Sequence, residues 1–322
     1  MDEKLTALAR TTAEDLGRRR AGVAVAAVVG DRTGIATAGP PGDVFEIGSV
    51  TKVLTALILA RMVVDGRAGL DEPVADLLGA PVPSRDGEPI RLRHLSTHTS
   101  GLPRLPKGKL REAVLHPYEA DPYADCTAEA VLEGLARTRL RARPGRRVKY
   151  SNLGVGLLGL ALATRAGTDY ATLLRAEICD PLGLERTGVD VPGLRQGHRP
   201  RGQEVSPWNM AALAGAGGVR GTAADLARLV RAHLDPASTP LGPAIDLVLR
   251  TRRPGAAAWG HLGWFGTRRP AGPLLWHNGG TAGFTSFVGI SPECGVGVVV
   301  LSDTRRMVDG GGLGLLTVLE SR

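Results

Sequence analysis

The chain has 322 residues, with 40 Lys plus Arg against 32 Asp plus Glu. This length suffices for one large domain or two lobes, and 22% charged residues with near-zero mean hydropathy exclude a disordered or fibrous chain. The formal charge of +8 does not indicate a nucleic-acid partner, because the arginines are scattered and only four Phe, four Tyr and four Trp are available for base stacking.

The sequence shows no sign of export, membrane insertion or metal binding. Its first twenty residues mix acids and bases without the apolar segment of a secretory signal, and no stretch reaches the roughly 18 apolar residues of a membrane helix. Cys126, Cys179 and Cys294 are far apart and form no CxxC pair, so we expect neither a disulfide framework nor a zinc site. We therefore expect a cytoplasmic protein with reduced thiols, no cofactor and no membrane partner.

The predicted elements place strands at both ends of the chain and helices in the middle. The chain begins with a helix at 3–20, a hairpin from Gly22 to Ala38, and a helix from Ser49 to Asp65 that is apolar on most faces. Helices follow at 127–138, 153–166, 169–179 and 222–234, and short strands at 261–267, 274–277, 285–290 and 296–301.

This order predicts an α+β fold in which both termini build one antiparallel sheet flanked by helices, with an inserted all-helical lobe. We expect residues 1–85 and 225–322 to form an α/β lobe and residues 86–224 a mainly helical lobe. The cleft between the lobes is the expected active site. The segments from Pro103 to Cys126 and from Val189 to Met210 are expected to border it.

Two motifs favour structural roles. Residues 154–159 fit GxGxxG, but they fall in a helix-like apolar run with no parallel strand after it, so the glycines indicate close helix packing. His94 and His98 are four residues apart, but no acidic third ligand is in view. We expect one or both of them to bind backbone groups in the loop HLSTHTSGLP.

The motif that indicates chemistry is Ser49-Val50-Thr51-Lys52, at the start of the apolar helix. An i, i+3 spacing puts the serine hydroxyl and the lysine amine on one helix face. Serine needs a base to become a nucleophile, and an amine acts as one only when neutral. Burial in an apolar helix lowers the pKa of a lysine and so favours that neutral form.

Two further motifs follow in order. Tyr150-Ser151-Asn152 precedes a predicted helix, and His277-Asn278-Gly279-Gly280-Thr281 lies at the end of a predicted strand, where glycines permit a substrate carbonyl to approach the backbone. Each motif alone has an ordinary structural interpretation, as a buried tyrosine or a hairpin turn. The three together indicate one active site.

With these motifs, the sequence resembles the serine β-lactamase and penicillin-binding protein superfamily over roughly residues 20 to 305, most closely its class C β-lactamase-like branch of esterases, D-amino-acid peptidases and transacylases. The segments FEIG at 45–48, LSTHTSGLP at 95–103 and AGGVRGTAADLARL at 216–229 are also typical of this branch.

The resemblance implies roles for the site residues. Ser49 would be the nucleophile, Lys52 its base or proton relay, Tyr150 the base for acylation and the acid for the leaving group, and Asn152 a ligand of the substrate amide or ester. Ser49 and Gly280 would provide the two N–H groups of the oxyanion hole. Asn278, Gly279 and Thr281 would line the substrate site. Which of Lys52 and Tyr150 takes the first proton stays open, because the two titrations are coupled.

The sequence departs from the penicillin-hydrolysing relatives at His277, which stands where they usually have the lysine of Lys-Thr-Gly. A neutral imidazole there can hydrogen-bond the Tyr150 oxygen, while binding of a β-lactam carboxylate becomes doubtful. The leading hypothesis is a serine acyl-enzyme hydrolase of a small-molecule ester or amide. The alternatives are a transacylase that passes the acyl group to an amine or alcohol, and a catalytically silent binding or scaffold relative.

Overall fold

The computed structural model describes residues 2–106, 121–253 and 259–321, and its main feature is an eight-stranded antiparallel sheet. Numbered along the chain and given in their order across the sheet, the strands are β2 (Arg32–Ala38), β1 (Val23–Val29), β12 (Val296–Ser302), β11 (Thr285–Ser291), β10 (Leu274–Gly280), β9 (Phe265–Thr267), β8 (Trp259–His261) and β7 (Arg252–Arg253). Two short pairs lie outside this sheet: β3 (Phe45–Glu46) with β6 (Arg220–Gly221), and β4 (Gly197–His198) with β5 (Glu204–Val205).

Helices pack on both faces of the sheet, and further helices pack on these. The longer helices of the described residues are α1 (Glu3–Gly17), α2 (Thr51–Val64), α3 (Val74–Leu78), α4 (Leu92–Ser96), α5 (Ala128–Ala136), α6 (Asn152–Ala166), α7 (Tyr170–Leu174), α8 (Ala223–Leu234), α9 (Gly242–Arg250) and α10 (Asp309–Glu320). No helix in the described ranges is long and apolar enough to cross a membrane.

Strand β1, the second strand from one edge, shows why the sheet needs helices on both sides. Its side chains alternate between faces, as the two-residue period of a strand requires. Ala24 and Val28 belong to the larger core, which includes α2, whereas Val23 and Val25 belong to a smaller core beneath α1 and α10. β1 and β12 pair over their full length, so the N-terminal and C-terminal segments complete one sheet. The predicted α+β fold class is confirmed.

Two predicted elements have a different form. Residues 261–267, predicted as one strand, form the β8–β9 hairpin, because Gly263 turns the chain with φ +71°. A Cβ on Gly263 would lie 2.6 Å from the Lys52 carbonyl oxygen, so the turn packs directly on α2. The helix predicted at 169–179 changes after Leu174 into a π-turn at Arg175–Cys179.

The sequence reasoning also missed helices near the C-terminus. Neither α9 nor α10 was predicted; the first turn of α10 contains Gly310, Gly311 and Gly312, which have poor intrinsic helix propensity. A Cβ on Gly312 would lie 2.4 Å from the Phe287 ring, so tertiary packing overrides that propensity.

The division into lobes at residues 85 and 225 stays a prediction. Residues 107–120, which include Lys107, Lys109 and much of the loop predicted to border the cleft, lie outside the described residues.

The glycines of the GxGxxG segment pack helix against helix, as expected. Gly156 and Gly159 lie on α6 against the 3-10 segment Ala211–Ala216. A Cβ on Gly156 would lie 2.5 Å from a Leu213 methyl carbon and 3.0 Å from its Cβ, and one on Gly159 would lie 3.1 Å from the Gly215 Cα.

We predict that Gly156→Ala lowers the free energy of unfolding by about 1–3 kcal/mol, because overpacking outweighs the gain in helix propensity. Gly134→Ala in α5 is the matched control, since no atom lies within 4 Å of its added Cβ. The control is expected to stabilise by about 0.5–1 kcal/mol. Urea denaturation measures both; a stabilised Gly156→Ala protein would contradict the packing.

Candidate active site

The three side chains of the predicted catalytic motifs meet around the Ser49 oxygen. Lys52 Nζ lies 2.9 Å from Ser49 Oγ, and the Tyr150 hydroxyl donates to the same Oγ at 2.6 Å. Ser49 lies in a 3-10 turn, Gly48–Val50, which leads directly into α2. One helical turn therefore sets the spacing of Ser49 and Lys52, whereas Tyr150 comes from a segment a hundred residues away.

Lys52 is completely buried, and this determines its charge state. Its Nζ also donates to the Ala216 carbonyl at 2.5 Å. Desolvation, assisted by the positive charge of Arg104, holds the pKa of Lys52 well below its usual value. A neutral amine is the form that accepts a proton from a serine hydroxyl.

Tyr150 is held just before the start of α6 by groups on both sides of it. The Ser151 side chain caps α6 by accepting from the Gly154 N–H at 2.9 Å. His98 accepts from the Ser151 N–H through Nδ1 at 3.3 Å and from the Lys149 N–H through its carbonyl at 2.7 Å, and its ring packs 4.6 Å from that of Tyr150. Burial raises the pKa of Tyr150 to about 12, so the phenol keeps its proton at neutral pH.

The rings of His94 and His98 both bind backbone groups, although these two partners lie outside the loop in which the sequence analysis expects them. His94 Nδ1 accepts from the Arg91 N–H at 3.2 Å, and His98 binds Ser151. Among the described residues, no group of His, Cys, Asp and Glu side chains is arranged to hold a metal ion.

The glycines of β10 let this strand lie against the turn that carries Ser49. A Cβ on Gly279 would lie 3.0 Å from the Ser49 nitrogen and 2.1 Å from the Ile47 carbonyl oxygen. Gly48, with φ +49°, would place a Cβ 2.6 Å from the Gly280 nitrogen. Only glycines permit this approach, which brings the backbone of Gly280 close to that of Ser49.

His277 is buried on the same strand and is neutral. Desolvation and the nearby Lys52 lower its pKa to about 3. Its Nδ1 lies 2.7 Å from the Asn278 carbonyl, an acceptor only, so Nδ1 carries the proton and Nε2 offers a lone pair. Nε2 has no partner among the described residues, so the expected hydrogen bond from His277 to Tyr150 is not formed.

Asn152 lies in the first turn of α6 and contacts an aromatic pair that the sequence analysis missed. Its Nδ2 donates to the Tyr123 hydroxyl at 3.1 Å, and the Tyr123 ring packs edge-on to Trp208 at 5.7 Å. Asn152 Oδ1 is buried without a partner in the described structure. The amide therefore retains an acceptor for a further donor.

Asn278 and Thr281 are placed differently from the expectation that both line the substrate site. Successive strand residues face opposite sides of a sheet, so Asn278 points away from His277 and donates to Asp309 of α10 at 2.6 Å. The Asn278 side chain is therefore not brought to Ser49. Thr281 is buried beside Glu46, three residues before Ser49.

Glu46 is a buried carboxyl beside the site that the sequence analysis did not single out. Its Oε1 accepts from the Trp208 N–H at 2.6 Å, while Oε2 has no partner in the described part of the chain. Burial raises its pKa from 4.5 to about 7, although the Thr281 hydroxyl, the Trp208 N–H and the Arg220 charge act in the opposite direction. A protonated Glu46 is able to donate a hydrogen bond.

This raised pKa gives stability a defined pH dependence. Native Glu46 keeps its proton between pH 4.5 and about 7, where the unfolded chain has lost it. The native state therefore loses stability as pH rises through this window, by at most about 3 kcal/mol, and the loss is constant above it. We predict that Glu46→Gln removes this loss, so that the variant gains stability relative to wild type up to pH 7.

Urea denaturation between pH 4.5 and pH 8 measures the difference. Glu204→Gln, at an exposed position on β5, is the control and is expected to leave the pH dependence unchanged. Identical pH slopes for Glu46→Gln and wild type would show that Glu46 is ionised throughout.

Comparison with known proteins agrees with this geometry. The Beta-lactamase family matches residues 8–315. The chain is 31% identical to the D-alanyl-D-alanine-carboxypeptidase/endopeptidase AmpH of Escherichia coli K12, over 83% of this chain and 74% of that protein. It is 28% identical to penicillin-binding protein 4 of Amycolatopsis lactamdurans, over 81% and 72% of the two chains.

A Pseudomonas fluorescens β-lactamase is 26% identical over 80% of this chain and 79% of its own. The chain therefore belongs to the β-lactamase family, within the superfamily of serine β-lactamases and penicillin-binding proteins.

Proposed function

We propose that the protein is a serine hydrolase that cleaves an ester or amide of a small molecule through an acyl-enzyme on Ser49. The observation that carries this proposal is the placement of Ser49 Oγ between Lys52 Nζ at 2.9 Å and the Tyr150 hydroxyl at 2.6 Å. A nucleophile within hydrogen-bond reach of a base and an acid is the arrangement that acyl transfer requires. The presence of all three side chains in this arrangement disfavours the alternative of a catalytically silent scaffold.

In the first step Lys52 acts as the base. Its lowered pKa favours the neutral amine that a base requires, whereas the raised pKa of Tyr150 opposes formation of a phenolate. Nζ takes the hydroxyl proton while Oγ bonds to the substrate carbonyl carbon. The N–H groups of Ser49 and Gly280 stabilise the negative charge on the carbonyl oxygen.

Tyr150 acts as the acid in the second half of acylation. Its hydroxyl gives its proton to the leaving oxygen or nitrogen as the bond from carbon to the leaving group breaks. The Lys52 ammonium returns a proton to Tyr150, whose ring centroid is 4.9 Å from Nζ. Water then attacks the acyl carbon with the same groups in reversed roles, releasing the acid and restoring Ser49.

Intact-mass spectrometry tests the covalent step. We expect a fluorophosphonate to add one adduct to wild type and none to Ser49→Ala. With neutral His277 on β10, a penicillin is expected to label the protein more slowly than the fluorophosphonate. An equal adduct on Ser49→Ala, or none on wild type, would contradict a Ser49 nucleophile. Condensation of the acyl group with an added amine in preference to water would favour the transacylase.

A substitution at Lys52 tests the base. Lys52→Arg keeps a positive charge but cannot supply a neutral amine, because guanidinium does not lose its proton in proteins. We expect the fluorophosphonate labelling rate to fall by about 10²- to 10⁴-fold, the usual contribution of general base catalysis. The labelling rate of Lys52→Met, whose side chain is uncharged, is expected to fall by the same factor. Labelling of a folded Lys52→Arg protein at the wild-type rate would exclude Lys52 as the base.

A further inference from the structure

The Phe265 side chain, on β9, lies in the middle of a group of rings beside the active site. Its ring centroid is 5.1 Å from that of His277 and 6.2 Å from that of Tyr150. It is also 5.2 Å from the Trp276 ring and 6.2 Å from the His98 ring. These four rings come from β10, from the segment before α6 and from the segment after α4. One side chain therefore packs against all three parts of the chain.

The sheet fixes the position of this ring. Phe265 is directly opposite Trp276 in the β9–β10 pairing, and the Trp276 indole N–H donates to the Thr267 hydroxyl at 2.9 Å. The turn at Gly263, just before β9, packs on α2. Both ends of β9 are thus held, so the Phe265 ring has a set place relative to the catalytic groups.

The Phe265 ring lies where it keeps water from two polar groups. Phe265 is partly buried, whereas the neighbouring His277 is only 1% exposed. The Nε2 atom of His277 has no partner in the described part of the chain, so a water molecule that reached it would find an acceptor. The Tyr150 hydroxyl donates to Ser49 Oγ, and water beside the phenol would compete for that bond. An apolar ring offers neither group a hydrogen bond.

The charge on His277 matters to the proposed base step. The titratable side chains that face the imidazole are Lys52 of α2, His98 after α4 and Tyr150 before α6. Desolvation is the main cause that lowers the pKa of His277 to about 3, and Lys52 adds to it. A proton on His277 would repel the ammonium that forms on Lys52 when Ser49 is deprotonated. A neutral imidazole therefore favours the first step.

We propose that Phe265 is a positioning residue of the active site: its ring keeps water from the His277 imidazole and the Tyr150 phenol and holds both beside Ser49. The inference rests on the proposed hydrolase function and adds a residue that acts through other side chains rather than on the substrate. A smaller residue at this position would leave a cavity beside polar atoms, and water occupies a cavity where it finds such partners.

The first test measures the His277 imidazole directly. Phe265→Leu, Phe265→Val and Phe265→Ala remove increasing volume from the ring position. With ¹³C-labelled histidine the chain gives seven Cε1 signals, and the signal lost in His277→Asn assigns that of interest. In wild type and Phe265→Leu we expect this signal not to titrate between pH 5 and pH 8. In Phe265→Ala its pKa is expected to rise from about 3 toward 6.5, with Phe265→Val between the two.

The second test measures the rate of fluorophosphonate labelling at pH 6 and pH 8. Phe265→Ala is expected to label about tenfold more slowly than wild type at pH 8, because Tyr150 is less well placed. The factor is expected to be larger at pH 6, where His277 gains a proton. Phe265→Leu is expected to keep the wild-type pH dependence. Phe287→Leu, on β11 in the smaller core, is the control, expected to lose stability but to label as wild type does.

A merely structural role would give a different result. An unshifted His277 signal in folded Phe265→Ala, together with a labelling rate that is unchanged or falls equally at both pH values, would overturn the role of Phe265. If Phe265→Ala does not fold, the same two measurements on Phe265→Val decide.

The two levels of proposal fail differently. If wild type takes the fluorophosphonate adduct and His277 stays neutral in the variants, only the role of Phe265 is wrong. If wild type takes no adduct, the hydrolase function is wrong and the role of Phe265 in catalysis falls with it, whatever the His277 signal shows.

Discussion

The site depends on the removal of one amine from water. Lys52 lies in α2, where every turn packs against protein, and its Nζ donates to the Ser49 hydroxyl and the Ala216 carbonyl. Those two contacts do not replace the hydration that an ammonium has in water, so the neutral amine is favoured. The helix that stabilises the fold thus also lowers the pKa of the amine that we propose as the base. Burial of a lysine in an apolar helix lowers the stability of the fold, so such a residue is expected where its proton takes part in the chemistry.

Burial also determines the charge states of the other side chains in the site. Burial raises the pKa of Tyr150 to about 12, and desolvation lowers that of His277 to about 3, so both side chains are uncharged at neutral pH. Burial also raises the pKa of Glu46 to about 7. The close packing of Gly279 and Gly280 on the Ser49 turn then fixes the backbone without adding charge. The result is a resting site in which no catalytic side chain carries a full charge. In the proposed mechanism, proton transfer to Lys52 creates the first such charge, beside the developing oxyanion.

The sequence predicted this site where spacing or composition determines geometry. Ser49 and Lys52 lie one helical turn apart, and the paired glycines permit a close approach of two backbones. Strands at both termini indicate that the two ends of the chain share one sheet. The sequence analysis did not apply strand alternation residue by residue: Asn278 follows His277 on β10, so its side chain faces the other way and donates to Asp309. It also missed Tyr123, Trp208, Glu46 and Arg104. Long-range packing of loops sets the positions of these residues, and such packing leaves no periodic pattern in the sequence.

The most direct test of a neutral Lys52 is to titrate its amine. With ¹³C-labelled lysine, the chain gives five Cε signals, and loss of one in Lys52→Met assigns the signal of interest. We expect the Lys52 signal to titrate well below pH 10.5. A Lys52 signal that titrates at or above pH 10.5 would contradict a base created by burial.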